Sequence, residues 1–218
     1  MNTLITNDFF NTSERQEILK LVMSLPHGNH TRLTDAQVKW VGIIDVYNIL
    51  NINASTLLDV GCGSSPLSIF FKQYKNINTV YALDIVSDTT NFQHIIDGGC
   101  KYICNNIIND TTIAYNSLDV VVDSCAITCG TPNTYDAVFS KISILLKTGG
   151  YFITVCDTLL TSKTGNFIHP LVFIDICKKY NLELVDKYTE VNSDLFISKK
   201  NYCSDGDLNV VRLVFKKV

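Results

Sequence analysis

Apolar residues in this chain recur in two rhythms: short, nearly continuous runs, and longer stretches repeating at helical spacing. The short runs predict buried strands at residues 57–60, 79–85, 101–106, 118–124 and 151–155. The run at 118–124, with Leu118, Val120, Val121 and Val122, has the continuous apolar character of a parallel strand covered on both faces. Helical spacing appears in Ile18, Leu21, Val22 and Leu25, opened by a capping box of Ser13 with Gln16. A second box, Thr34 with Gln37, opens the stripe Ala36, Trp40, Ile43, Ile44, Tyr47 and Leu50. A third helix is expected from Thr131 and Pro132, carries Val138, Ile142, Leu145 and Leu146, and stops at residues 147–150 with Lys147 in its last turn. Pro170 opens a fourth, with Leu171, Ile174 and Cys177 inward. Residues 182–191 and 209–218 read as the last two strands.

Strands alternating with helices predict an α/β fold with a doubly wound, mostly parallel sheet. We expect one compact domain, with a helical cap or lid over residues 1–53 and a ligand-binding core over 54–218. Composition trims the alternatives. At 218 residues the chain fits one full core, and its formal net charge of −3 argues against a broad nucleic-acid-binding face. No apolar run is long enough to span a membrane, and polar Asn2, Asn7 and Asp8 argue against a secretory signal. Cys100 with Cys104, and Cys125 with Cys129, have a spacing zinc accepts, but they fall on predicted strands. Reduced thiols in a cytoplasmic protein are the better reading, with no metal site expected.

Chemistry concentrates where the strand at 57–60 breaks into Gly61, Cys62 and Gly63 and reopens as a helix at Ser65 and Pro66. Ser65 is the expected N-cap and Pro66 the first helical residue. A strand, a glycine turn and a helix N-terminus cradle nucleotide-like ligands. A dinucleotide fingerprint would need a third glycine where Pro66 stands. Asp59, just before the turn, suits a cationic ligand and would repel a pyrophosphate. Asp84 ends the next strand about twenty residues on, the spacing at which an acid meets ribose hydroxyls.

The acid followed by Gly61-Cys62-Gly63 resembles motif I of class I S-adenosylmethionine-dependent methyltransferases, with Ser65 in place of the usual third glycine. The run at 117–124, with Asp123, resembles the family's motif IV, and residues 145–155 resemble its LKPGG passage from helix to strand. This resemblance implies a seven-stranded sheet with a C-terminal antiparallel hairpin, and S-adenosylmethionine as cofactor. It implies that Asp59, Gly61, Cys62, Gly63 and Asp123 line the cofactor site, that Asp84 holds the ribose and that Ile85 packs on the adenine. Asn105 or Asn106, the latter better spaced, stands where relatives place an aspartate for the adenine amino group; an amide oxygen accepts the same bond.

The activated sulfonium methyl needs chiefly an aligned acceptor, and an oxygen acceptor also needs a base or a metal. Asp123 and His169 are the candidate catalytic groups. Asp157 should lie beside Asp123, as in metal-dependent O-methyltransferases, but Thr158 follows where those carry asparagine, which argues against magnesium. His27, His30 and Arg32 fall in the expected lid, near the cofactor carboxylate or simply in a surface loop. The chain lacks the NPPY or DPPY motif of base N-methyltransferases and the lysine-aspartate-lysine-glutamate set of ribose methylases. A small metabolite, sugar or lipid-like acceptor, methylated on oxygen or nitrogen, is the expected substrate. The alternatives are a catalytically silent scaffold keeping the fold and a nicotinamide-dependent oxidoreductase.

Overall fold

The computed structural model describes residues 1–5, 8–28, 33–87, 89–158, 168–189, 199–203 and 206–218. In chain order the elements are β1 (Asn2–Leu4), α1 (Ser13–Met23), α2 (Leu33–Ile49), β2 (Thr56–Val60), α3 (Leu67–Tyr74), β3 (Thr79–Asp84), α4 (Gln93–Asp97) and β4 (Lys101–Cys104). They continue with β5 (Leu118–Asp123), α5 (Tyr135–Leu145), β6 (Leu146–Thr158), α6 (Pro170–Lys179), β7 (Leu182–Leu184), β8 (Tyr188–Thr189), β9 (Lys199–Cys203) and β10 (Gly206–Lys217).

One sheet runs β4-β3-β2-β5-β6-β10-β1-β8, with β7 and β9 also paired to β10. The strands β4, β3, β2, β5 and β6 are mutually parallel, and β10 lies antiparallel to β6, with Asn209 opposite Thr158 and Lys216 opposite Tyr151. The chain therefore steps outward from β2 to β4 and then returns to the other side of β2 as β5. That reversal opens a crevice at the carboxyl ends of β2 and β5, where Val60 pairs with Asp123.

Alternation along each strand feeds two cores. Leu57, Val120, Val122, Ile153 and Val155 pack with α1, α2 and α3 on one face. Leu58, Val121 and Phe152 pack with α5 and α6 on the other, where Phe139, Phe152, Phe173 and Phe215 form one aromatic cluster. Residues 38–47 of α2 are all buried, the burial profile of a helix enclosed on every side rather than a surface lid. Gly42 lets this helix sit close on the sheet: a Cβ there would come 3.2 Å from the Val155 side chain.

Several boundaries differ from those expected. Among the described residues the sheet has ten strands, because β1 adds to the outer edge of β10 and β8 and β9 follow from the C-terminal region. β1 is too short to show an alternation. Side-chain bonds hold it instead: Asn2 Oδ1 accepts from the Val214 N–H at 2.7 Å, and its Nδ2 donates to the carbonyls of Val185 and, at 3.1 Å, Asp186. The cap of α1 is Thr12, whose hydroxyl accepts from Arg15 N–H at 3.4 Å, while the Gln16 amide donates to Phe10 O. The helix after the glycine turn begins at Leu67, one residue later than expected, with the Ser65 hydroxyl accepting from Leu67 N–H. A 3-10 turn at Pro132–Thr134 precedes α5. That helix ends at Leu145, and Lys147 lies in β6, ion-paired with Asp119. Gly150 explains the early strand: a Cβ there would crowd the carbonyls of Lys147, Asp119 and Leu118 at 2.9–3.2 Å. The inward residues of α6 are Phe173 and Cys177, whereas Leu171 is 49% exposed. The strand expected at 182–191 breaks between β7 and β8 at Asp186, whose φ is +72°. Its last two residues, like His30 and Arg32, lie outside the described residues.

Candidate active site

The glycine turn is fixed from three sides. Gly61 and Gly63 have φ of +61° and +49°, a region glycine enters without steric cost. A Cβ on Gly61 would also lie 2.1 Å from the Ala126 Cβ, so the turn and the loop after β5 touch through the missing side chain. Cys62 N–H donates to Leu83 O at 3.0 Å, and Gly63 N–H donates to Asp84 Oδ2 at 2.9 Å. From the N-terminal side, Gly28 N–H donates to Ser64 O at 2.9 Å. The turn is thereby locked to the end of β3, to the loop after β5 and to the segment before α2.

These contacts leave a cleft of about 320 Å³ in the crevice at the switch point. The sequence-predicted residues Gly61, Asp84, Ile85 and Asn106 all line it. Asp84 is half-buried, with Oδ1 accepting from Val86 N–H at 3.1 Å. Ile85 is 72% exposed at the edge of the cleft. Asn106 Oδ1 accepts from Ile108 N–H at 3.0 Å. The opposite wall was not foreseen: Ala126, Ile127, Gly130, Thr134 and Val138 come from the loop after β5 and the start of α5. Its composition is that of any connecting loop, and only the fold brings it over the glycine turn.

Other expected site residues lie beneath or away from the cleft. Asp59 is fully buried and faces α3, with Oδ2 accepting from the Ser68 hydroxyl at 2.6 Å and Oδ1 unpartnered. Burial pushes its pKa up to about 7, opposed by the Ser68 bond and reinforced by the charges of Asp123 and Asp84. Cys62 is buried as well, and burial raises its thiol pKa. Asp123 does not open on the cleft. Its Oδ1 accepts from Ala126 N–H at 2.7 Å and Ile127 N–H at 3.2 Å, and its Oδ2 from the Thr154 hydroxyl at 2.7 Å. Burial raises its pKa against those bonds and against the charge of Lys39. Asp123 thus fixes the loop that forms the cleft wall. His169 caps α6, its Nδ1 accepting from Leu171 N–H at 3.3 Å, and is not among the cleft-lining residues. His27 Nδ1 lies 3.0 Å from Gly28 O, and its ring packs near Trp40.

Asp157 belongs to a pair the sequence did not suggest. Its carboxylate accepts from Lys39 Nζ at 3.0 Å, with both side chains buried. The signal was present: Lys39 sits between Val38 and Trp40 in an apolar stretch of helix, where a charge requires a partner. Among the described residues no three His, Cys, Asp or Glu side chains converge as a metal site.

The order of the sheet, the antiparallel β10 and the cleft beside the glycine turn define the class I methyltransferase fold. Residues 58–154 match the family model described as a methyltransferase domain, and the residues that line the cleft all fall within that stretch. Solved structures agree on the fold. A TehB-like S-adenosylmethionine-dependent methyltransferase from Corynebacterium glutamicum is 15% identical, with 95% of this chain and 97% of that chain covered at a TM-score of 0.53. The 1,6-didemethyltoxoflavin-N1-methyltransferase of Burkholderia thailandensis, solved with 1,6-didemethyltoxoflavin and S-adenosylhomocysteine, is 13% identical, with 99% and 92% covered at 0.60. The geranyl diphosphate C-methyltransferase of Streptomyces coelicolor, solved with Mg²⁺, geranyl diphosphate and S-adenosylhomocysteine, is 12% identical, with 95% and 99% covered at 0.57. No curated protein matches the sequence. Among the described residues no helix is long and apolar enough to cross a membrane.

Proposed function

We propose that this chain is an S-adenosylmethionine-dependent methyltransferase that transfers the methyl group to an oxygen or nitrogen of a small-molecule acceptor, with the cofactor seated in the cleft between β2, β3 and β5. The observation that carries the seating is the pairing of Gly61, which has no side chain to block the cleft, with the half-buried Asp84 carboxylate at the cleft mouth. The residues suit an adenosyl group. Asp84 offers acceptor oxygens to ribose hydroxyls, the exposed Ile85 offers an apolar face to the base, and Asn106 offers an amide near its rim. S-adenosylmethionine supplies an activated methyl. The chain supplies position, which is worth about 7–11 kcal/mol of barrier when the acceptor is aligned.

Asp123 and His169 were the expected catalytic groups. In our reading they act from a distance: Asp123 holds the loop over the glycine turn, and His169 starts α6. Alignment then carries the reaction, and an acceptor that loses its proton easily suits the site best. Support for a small acceptor comes from the toxoflavin precursor and geranyl diphosphate named with two structures of this fold. A screen that follows S-adenosylhomocysteine release across amines, phenols, carboxylates and sugars, with transfer RNA and mixed peptides alongside, tests the reading. Turnover confined to small molecules is expected; turnover confined to the macromolecules would overturn it.

A further inference from the structure

The carboxylate of Asp84 is aimed by two backbone donors that reach it from different parts of the chain. Gly63 N–H, in the glycine turn, donates to Oδ2 at 2.9 Å, and Val86 N–H, just beyond β3, donates to Oδ1 at 3.1 Å. A carboxylate has about four lone-pair sites, so these two bonds set its plane and leave the remaining sites for a ligand. The Gly63 anchor is fixed by the turn itself. Packing does little for the Val86 anchor, since Ile85 and Val86 are 72% and 43% exposed. What holds it comes from the next strand. Tyr102, in β4, donates its hydroxyl to Val86 O at 2.6 Å. Val86 is therefore gripped on both sides, its carbonyl by Tyr102 and its N–H by Asp84.

Tyr102 is itself well fixed. Its backbone lies opposite Ala82 of β3, and its ring stacks on buried Phe92 at 4.7 Å between centroids and 21° between planes. Burial raises the phenol pKa above its ordinary value, so the hydroxyl keeps its proton and serves as a donor. Tyr102 is not among the residues that line the cleft, so losing its hydroxyl takes nothing from the cleft wall. The bonds from Tyr102 to Val86, to Asp84 and on to Gly63 join the edge strand β4 to the glycine turn, and Asp84 is the member of that line that opens on the cleft.

We infer that Tyr102 is a positioning residue for ribose recognition: acting through Val86, it holds the Asp84 carboxylate in the plane that meets the ribose hydroxyls of the cofactor. The inference rests on the seating of the cofactor proposed above. A carboxylate anchored to a loose loop samples several orientations, and binding must then offset the freedom it loses. With the Tyr102 bond in place, much of that freedom is gone before the ligand arrives. The gain falls on the sugar hydroxyls and not on the base or the amino-acid end, so preference for ribose over a deoxygenated sugar is the property Tyr102 sets.

The test is a cycle across protein and ligand. Calorimetric competition gives the affinities of S-adenosylhomocysteine and of its 2′,3′-dideoxyribose analogue for the wild type and for Tyr102→Phe. That variant keeps the ring on Phe92 and loses only the hydroxyl, and circular dichroism with urea unfolding checks its fold. We expect S-adenosylhomocysteine to bind Tyr102→Phe about fivefold to tenfold more weakly, the worth of one hydrogen bond, while the analogue binds the two proteins within about twofold. An equal loss for both ligands would show that Tyr102 merely supports the cleft, and unchanged S-adenosylhomocysteine binding would show that its bond is idle. Either result overturns the inference and leaves the cofactor reading standing. No binding of S-adenosylhomocysteine by folded wild type, or equal binding of the two ligands by it, would overturn the reading of Asp84 and this inference with it.

Discussion

Three buried or constrained residues shape the cleft and the turn beside it, and each has its own measurable signature. Gly61 combines φ of +61° with a Cβ position 2.1 Å from Ala126. Gly61→Ala therefore strains the backbone and forces the loop after β5 away. We expect a loss of about 2 kcal/mol or more of stability in urea unfolding, with cofactor binding abolished in whatever remains folded. Gly63→Ala, where no atom lies within 4 Å of the added Cβ, should cost less, since only the φ is unfavourable. Asp59 gives a pH signature. Its folded pKa of about 7 lies above the ordinary aspartate value of 3.8, so the fold binds a proton that the unfolded chain releases earlier. The associated stability is full below about pH 4 and fades as pH rises through about 7, by up to about 4 kcal/mol. Asp59→Asn keeps an acceptor for Ser68 but cannot ionise. Its melting temperature should fall less between about pH 5 and pH 8 than that of the wild type, and an equal fall in both would show that Asp59 is not the group responsible.

At the scale of elements, the N-terminal region is held by charge as much as by apolar packing. Asp45 on α2 accepts from Arg15 Nε at 3.1 Å and Arg212 NH1 at 2.8 Å, and Arg212 Nε donates to Met1 O at 3.1 Å. One carboxylate thus ties α1, α2, β10 and the start of β1. Burial lowers the Arg212 pKa, and Asp45 opposes that shift, so removing Asp45 leaves a buried cation without its counter-charge. Asp45→Ala should cost about 3–5 kcal/mol in urea unfolding; a loss below about 1 kcal/mol would show that the triad does not hold these elements. Sequence patterning read this part of the chain least well. It found α1 and α2 but took their apolar stripes for a lid, because periodicity reports which side is apolar and not how many sides are covered. Lys39 and Asp45, charged residues within the apolar stretch 38–47, were the clue that this part of α2 is enclosed. β1 carried no readable pattern, since its place depends on Asn2 reaching residues 185, 186 and 214. The early start of β6 shows the same limit: at Gly150 a Cβ would crowd the carbonyls of Leu118 and Asp119 on the neighbouring β5 chain segment, a contact invisible to local spacing.

Over the whole molecule, the parallel strands and the glycine turn were legible because each depends on local composition: apolar runs, turn glycines and acids at strand ends. Four of the residues that line the cleft were legible for the same reason. Asp84, Ile85, Asn106 and Gly61 lie together in the cleft, whereas Asp59, Cys62 and Asp123 lie below it as supports. Position in a motif gave their neighbourhood but not the direction of each side chain, which follows from the hydrogen bonds of Ser68, Thr154 and the 126–127 amides. The central claim is that Asp84 and the glycine turn hold the cofactor. Its most direct test is calorimetric titration of S-adenosylmethionine and S-adenosylhomocysteine into the wild type and into Asp84→Ala, with folding of both checked by circular dichroism. The account predicts a Kd near about 10 μM or tighter for the wild type and at least about 100-fold weaker binding in the variant, since charge-assisted hydrogen bonds at the cleft mouth are lost. Equal binding by both proteins, or none by folded wild type, would contradict it.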